Sequence, residues 1–134
     1  MSRKIYKITP TPKPRQTQSD KWRLRPCVAR YRAFADEVRA LQIKIPEQGA
    51  SICFVIPMPK SWSKKKRDSM IGKPHQQKPD VKNLLGALED AVYYGRKPGD
   101  ECIWQYNCLE KRWGYAGWIM IEIEERESNF VLGL

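Results

Sequence analysis

The chain contains one histidine, His75, and its four cysteines, Cys27, Cys53, Cys102 and Cys108, are never two to four residues apart. A zinc knuckle needs closely spaced thiolate and imidazole ligands, so that scarcity argues against structural zinc. Each cysteine falls in or beside an apolar stretch, where a reduced thiol packs as a small hydrophobe, and no disulfide framework is expected. Long apolar runs are missing as well. The longest, residues 52–58 and 118–121, fall far short of the roughly 20 residues that a membrane-spanning helix requires. The N-terminus, Met1-Ser2-Arg3-Lys4-Ile5-Tyr6-Lys7, has neither an apolar signal core nor a small-residue cleavage site, which predicts a soluble, cytoplasmic protein without membrane contact.

What is present suits one domain spanning residues 1–134. A hydrophobic content of 41% supports one modest core, and 30% charged residues with 10 prolines predict long polar connections around it. The net charge of +10 is unevenly spread: residues 1–80 hold 19 Lys/Arg against 6 Asp/Glu, and residues 81–134 hold 6 against 9. A concentrated positive field attracts polyanions and releases counterions from a nucleic-acid backbone, so nucleic acid is the expected partner.

The pattern of apolar residues and breakers gives the element order. Residues 3–8 read as a short strand, followed by Thr9-Pro10-Thr11-Pro12-Lys13-Pro14-Arg15, whose prolines favour an extended, stiff loop. Residues 26–43 predict an amphipathic helix, since Tyr31, Phe34, Val38 and Leu41 recur at three- and four-residue intervals behind Pro26. Residues 50–57 form a β-rich apolar run that reads as a central strand. A long basic connection over residues 58–79 follows, with room for one short helix from Ser63 to Gly72. Such length in a compact domain marks a candidate binding loop, as does the basic stretch 9–25. Asp80 then precedes the clearest helix, with Val81, Leu84, Leu85, Leu88, Ala91 and Val92 in one stripe. After the break at Gly95–Gly99, residues 102–109 and 116–124 read as two strands joined across Lys111-Arg112-Trp113-Gly114. The order β-α-β-loop-α-β-β predicts an α+β fold, a small mixed sheet with two main helices packed on it.

Asp80 sets a carboxylate at a helix mouth directly after the basic loop. It has two readings: a helix cap, which stabilises by about 0.5–2 kcal/mol, or a ligand for Mg2+, a hard cation that takes one or two carboxylates plus water and phosphate oxygens. The stretch Lys78-Pro79-Asp80-Val81-Lys82-Asn83-Leu84-Leu85-Gly86-Ala87-Leu88-Glu89-Asp90-Ala91 is similar to the signature of the RusA-type Holliday-junction resolvases, Lys-Pro-Asp-x-Asp-Asn-Leu-x-Lys followed by an Asp-Ala pair. Lys78, Pro79, Asp80, Asn83, Leu84, Asp90 and Ala91 fit it, and Asp100 with Ile103 fits the later Asp-Asp-x-x-hydrophobic turn. His75 and the run Met58-Pro59-Lys60-Ser61-Trp62-Ser63-Lys64-Lys65-Lys66-Arg67 resemble phage-type members. The likeness covers roughly residues 50–124.

The resemblance implies a homodimeric, Mg2+-dependent endonuclease of recombination and repair that nicks opposed strands of four-way DNA junctions. It also exposes departures. Lys82 stands where the pattern has its second aspartate, Gly86 where it has a lysine, and Gly99 where it has the first aspartate of the later turn. Lys82 and Gly86 lie one turn apart on a helix, so Lys82 is expected to reach over the space beside Gly86 and supply the cation. The expected metal ligands are Asp80, Asp100 and Glu101, with Glu101 preferred over Glu89 or Asp90 as the replacement carboxylate. Lys13, Arg15, Lys60, Lys64, Lys65, Lys66, Arg67, Lys73, His75 and Lys78 are the expected nucleic-acid contacts, and Trp62 either stacks on a base or packs. A junction- or duplex-binding protein that has kept the fold and lost the reaction is the alternative, and a basic RNA-associated protein a weaker one that leaves the motif unexplained.

Overall fold

The computed structural model of the chain describes residues 2–15 and 25–124; part of the basic stretch 9–25 therefore lies outside the described residues. The elements are β1 (Ser2–Tyr6), α1 (Pro26–Ala40), β2 (Ala50–Pro57), α2 (Lys64–Met70), α3 (Val81–Val92), a 3-10 turn over Asp100–Cys102, β3 (Tyr106–Gly114) and β4 (Trp118–Ile123). The four strands form a mixed sheet in the order β1-β4-β2-β3. β4 runs antiparallel to both β1 and β2, and β3 runs parallel to β2. A parallel pair cannot be closed by a tight turn, and the chain between β2 and β3 supplies the required long crossover through α2 and α3. This is the expected α+β class with a mixed sheet, with α2 as a third, short helix.

The core explains the pattern. Ala50, Ile52 and Phe54 on β2 and Ile119 and Ile121 on β4 alternate along their strands, as period two demands, and pack in one cluster with Phe34, Ala35 and Val38 of α1 and Leu84, Ala87, Leu88, Ala91 and Val92 of α3. Central β2 has a strand on each side and buries Cys53 as well as Ile52 and Phe54, which matches its near-continuous apolar run. The four cysteines are free thiols, as expected. Among the described residues no helix is long and apolar enough to cross a membrane.

Strand boundaries differ from the sequence expectation in β1, β3 and β4, the last of which covers Trp118–Ile123, not residues 116–124. β1 stops at Tyr6, not residue 8, because the Ile8 N–H donates to Tyr6 O and turns the chain out of the ladder. β3 covers residues 106–114, not 102–109. The 3-10 turn occupies Asp100–Cys102, and the Trp104 N–H is taken by Glu47 O, so pairing with β2 begins only at Tyr106. Lys111, Arg112 and Trp113, read from sequence as the connection, are strand; the turn to β4 falls at residues 115–117.

Two glycines permit close approaches. Gly49 holds φ +82°, and a Cβ there would come within 2.4 Å of Glu124 O. At Gly117 a Cβ would meet Thr9 atoms at 2.4–2.7 Å, so this position lets the proline-rich strap of residues 9–15 leave β1 directly across the β3–β4 turn. Ile8 and Pro10 are buried along that path.

Leu88 is fully buried, so Leu88→Ala is expected to lower unfolding free energy by about 2–5 kcal/mol in a urea titration. Gly86 lies inside α3 with open space where its Cβ would be. Gly86→Ala is therefore expected to move the same midpoint the other way, by up to about 1 kcal/mol.

Candidate active site

The basic loop is tied to the outer edge of β3. Gly72 N–H donates to Trp113 O (2.8 Å), Trp113 N–H to Lys73 O (3.0 Å) and His75 N–H to Lys111 O (3.0 Å), with a bridge between Pro74 and Arg112. Side chains add to this pairing. Arg112 Nη1 donates to Gly72 O at 2.8 Å, and the Lys111 ammonium donates to Gln77 O and, at 2.7 Å, to Pro79 O. Upstream, Ser63, where the sequence expectation began its short helix, is the N-cap of α2 and accepts from Lys66 N–H. Trp62 packs on buried Trp113 (ring centroids 4.8 Å), Trp113 packs on His75 (4.2 Å), and Lys66 lies over the Trp62 ring. Trp62 is thus already engaged in packing.

The expected nucleic-acid contacts separate into groups. Lys60, Lys64, Lys65, Lys66, Lys73 and Lys78 are exposed on this loop, and Arg15 is exposed on the strap. Arg67 is half-buried, with its guanidinium over Tyr115. His75 departs from the others: it is 4% exposed and packs against Trp113 beneath the loop. Burial, and then the Lys111 charge, push its pKa below the usual histidine value.

At the mouth of α3, Asp80 occupies the N-cap position with extended backbone (φ −75°, ψ 158°), yet its side chain makes no capping hydrogen bond. The cap reading thus gains no hydrogen bond from the structure, and the exposed carboxylate is not engaged on its own helix. Lys111 fixes this mouth from β3 through its bond to Pro79 O, one residue before Asp80. Sequence reasoning missed Lys111. The signal was the period-two alternation of Leu109, Lys111 and Trp113, which continues a strand that the charges at 110–112 disguise.

Further along α3, Asn83, Gly86 and Asp90 share one face by their three- and four-residue spacing. The strap crosses that face. Lys13 N–H donates to Asn83 Oδ1 at 3.3 Å and its Nζ meets Asp90 Oδ2 at 2.5 Å. The hydrogen bond that Lys13 donates to Asp90 raises the Lys13 pKa, and Asp100 adds to it. Lys13, Tyr31, Asp90, Tyr93, Gly99 and Asp100 line a cleft of about 400 Å3. Glu89 accepts from Tyr106 Oη at 2.6 Å beside it; burial raises the Glu89 pKa, Asp100 and Asp90 reinforce the rise, and the Tyr106 bond opposes it.

The structure therefore brings Asp100 together with Lys13 and Asp90. Asp80, Lys82 and Glu101 are not among the residues lining that cleft. Lys82 is exposed. Glu101 turns back so that its Oε1 accepts Gly99 N–H at 3.1 Å, and a Cβ on Gly99 would lie 2.7 Å from its other oxygen. Its carboxylate thus fills space that a side chain at position 99 would need. Among the described residues no three His, Cys, Asp or Glu side chains converge on a point that could hold a metal ion. The donor chemistry present, exposed single carboxylates beside a basic loop, suits a hard cation completed by water and phosphate oxygens, and not a closed protein cage.

Residues 6–124 match the sequence model of the family described as endodeoxyribonuclease RusA. No curated protein and no solved structure matches the chain.

The lowered His75 pKa carries a stability consequence. A group whose folded pKa lies below its ordinary value stabilises fully above that value, 6.5 for histidine, and loses the contribution as pH falls through the folded pKa. Thermal melts are expected to shift downward on acidification below about pH 6.5, and His75→Phe, which keeps a ring on Trp113, to remove that component of the shift.

Proposed function

The chain belongs to the endodeoxyribonuclease RusA family, and from that premise we propose that it is a Mg2+-dependent endonuclease that nicks four-way DNA junctions in recombination and repair. The observation that carries this reading is the Asp80 carboxylate, left without a capping bond at the mouth of α3, where the basic loop ends. Asp80 and Asp100 are the carboxylates that would hold Mg2+, with Glu101 as the third candidate once it releases the Gly99 N–H. Mg2+ bound there would polarise the scissile phosphate and lower the pKa of a bound water.

The chain's own residues do the positioning. Exposed Lys60, Lys64, Lys65, Lys66, Lys73 and Lys78 form a surface that neutralises phosphates along a DNA backbone. Lys111 fixes the approach to Asp80 by tying down the carbonyls of Gln77 and Pro79. Tyr94 (75% exposed) and Trp104 (70% exposed) provide aromatic surface of the kind that interfaces use, which supports a homodimer, the assembly a two-fold junction suits. The whole chain acts in this reading as a single cytoplasmic endonuclease domain.

A second reading keeps the DNA binding and removes the reaction. It is favoured by the lack of any three-carboxylate convergence among the described residues and by the substitution of Lys82 and Gly86 into the signature.

A labelled four-way junction incubated with wild-type and Asp80→Asn protein, in Mg2+ and in EDTA, separates the two. The nuclease reading expects paired nicks that require Mg2+ and fall by roughly 100-fold or more in Asp80→Asn, with junction affinity in EDTA changed only a few-fold. Tight binding that never yields a nick in either metal condition would overturn it in favour of the binder. Separately, Lys111→Met is expected to weaken nicking by freeing the segment before Asp80, read as a lower rate at saturating Mg2+ with a wild-type melting temperature within a few degrees.

A further inference from the structure

Two carboxylates facing one cleft repel a phosphodiester, and Asp90 and Asp100 do so unless a cation stands with them. The strap delivers one. Lys13 is attached to α3 at two points, through its backbone N–H on Asn83 Oδ1 and its ammonium on Asp90 Oδ2, and so spans the helical face on which Gly86 lies between those anchors. The ion pair is exposed on both sides, 45% and 39%, and such a pair adds little to stability. Buried Ile8 and Pro10 and the close passage of Thr9 over Gly117 already secure the strap, so holding it down is not what requires the charge. An ammonium has three donors, and Asp90 takes one of them.

We infer that Lys13 is the substrate-binding cation of this cleft, with its ammonium shared between Asp90 and a non-bridging oxygen of the phosphodiester being cut. The inference rests on the nuclease reading. In the hydrolysis a water oxygen forms a bond to phosphorus while one ester P–O bond breaks. The departing oxygen keeps that electron pair and takes up a proton, and the water's surplus proton passes to solvent. Between those events negative charge accumulates on the non-bridging oxygens, and a preplaced ammonium is worth most at that moment. Lys82, the cation expected from the helix itself, is exposed and does not line the cleft. Asp90 acts as the positioning residue that aims Lys13, and Asn83 sets where the strap crosses.

Gly86 supplies the decisive control. It lies on the same helical face and has nothing within 4 Å of its would-be Cβ, so a lysine introduced there has room to enter from the helix side. Junction nicking in Mg2+ and junction affinity in EDTA would be measured for wild type, Lys13→Ala and Lys13→Ala/Gly86→Lys, with melting temperatures alongside. Lys13→Ala is expected to lose roughly 100-fold or more in nicking rate, with affinity changed no more than a few-fold, and the double variant to regain at least about tenfold of the rate. Nicking by Lys13→Ala within about threefold of wild type would overturn the inference while leaving the nuclease reading standing. So would a loss matched by an equal loss of affinity or of melting temperature, or one that Gly86→Lys fails to repair. A wild-type chain that binds junctions and never nicks them would remove the nuclease reading, and Lys13's role with it.

Discussion

The outer edge of β3 is the constraint on which the rest of the molecule depends. An edge strand presents backbone donors and acceptors that must find partners, and here residues 72–75 of the basic loop take them. That pairing converts a long polar connection, which chain entropy would leave loose, into a platform of defined position. The Trp62–Trp113–His75 stack fills the space beneath it, and Lys111 reaches from the same strand to the carbonyls just before α3. The position of Asp80 is therefore set from both sides, by its own helix and by a strand far along the chain.

Electrostatics gives the site its second organising rule. The sequence separates its charges, basic before residue 80 and mildly acidic after, and the fold brings the two halves into contact at α3. Lys13 from the basic half meets Asp90 from the acidic half, and Lys111 does the reverse, sending a cation from the acidic half back to the basic loop. The Asp90 carboxylate is thereby kept beside a cation that moderates its charge. Glu89 shows what happens to one that burial and its acidic neighbours reach: its proton is held more tightly than usual, and the Tyr106 hydroxyl is the partner that offsets part of the effect.

Much of this was legible in the sequence, and the failures have identifiable physical causes. The α3 stripe, the central apolar β2 and the short helix after Ser63 were readable because local period and chain breakers determined them. β3 was misplaced because its outward charges at 110–112 imitate a turn, and only pairing with residues distant in sequence makes them strand. His75 looked like a loop residue free to touch phosphate. Burial by Trp113, 38 positions away, could not be read from its neighbours. Lys13 reads from the sequence as an expected nucleic-acid contact, whereas its tie to Asp90 spans 77 positions and no local pattern records it. Asp80 is the instructive case. Its capping position was correct, and only the geometry showed that the side chain does not perform the capping bond.

β1 has one neighbour in the sheet, β4, and the strap that carries Lys13 begins where β1 ends. A strand held on one side belongs to the part of a fold that opens by fraying, without global unfolding. Ile8 and Pro10, buried beyond the end of β1, and Thr9 against Gly117 anchor the strap separately, so such an opening would stop short of Lys13. The sheet margin and the cleft are thereby decoupled, and amide exchange along residues 2–6 would report on the margin alone.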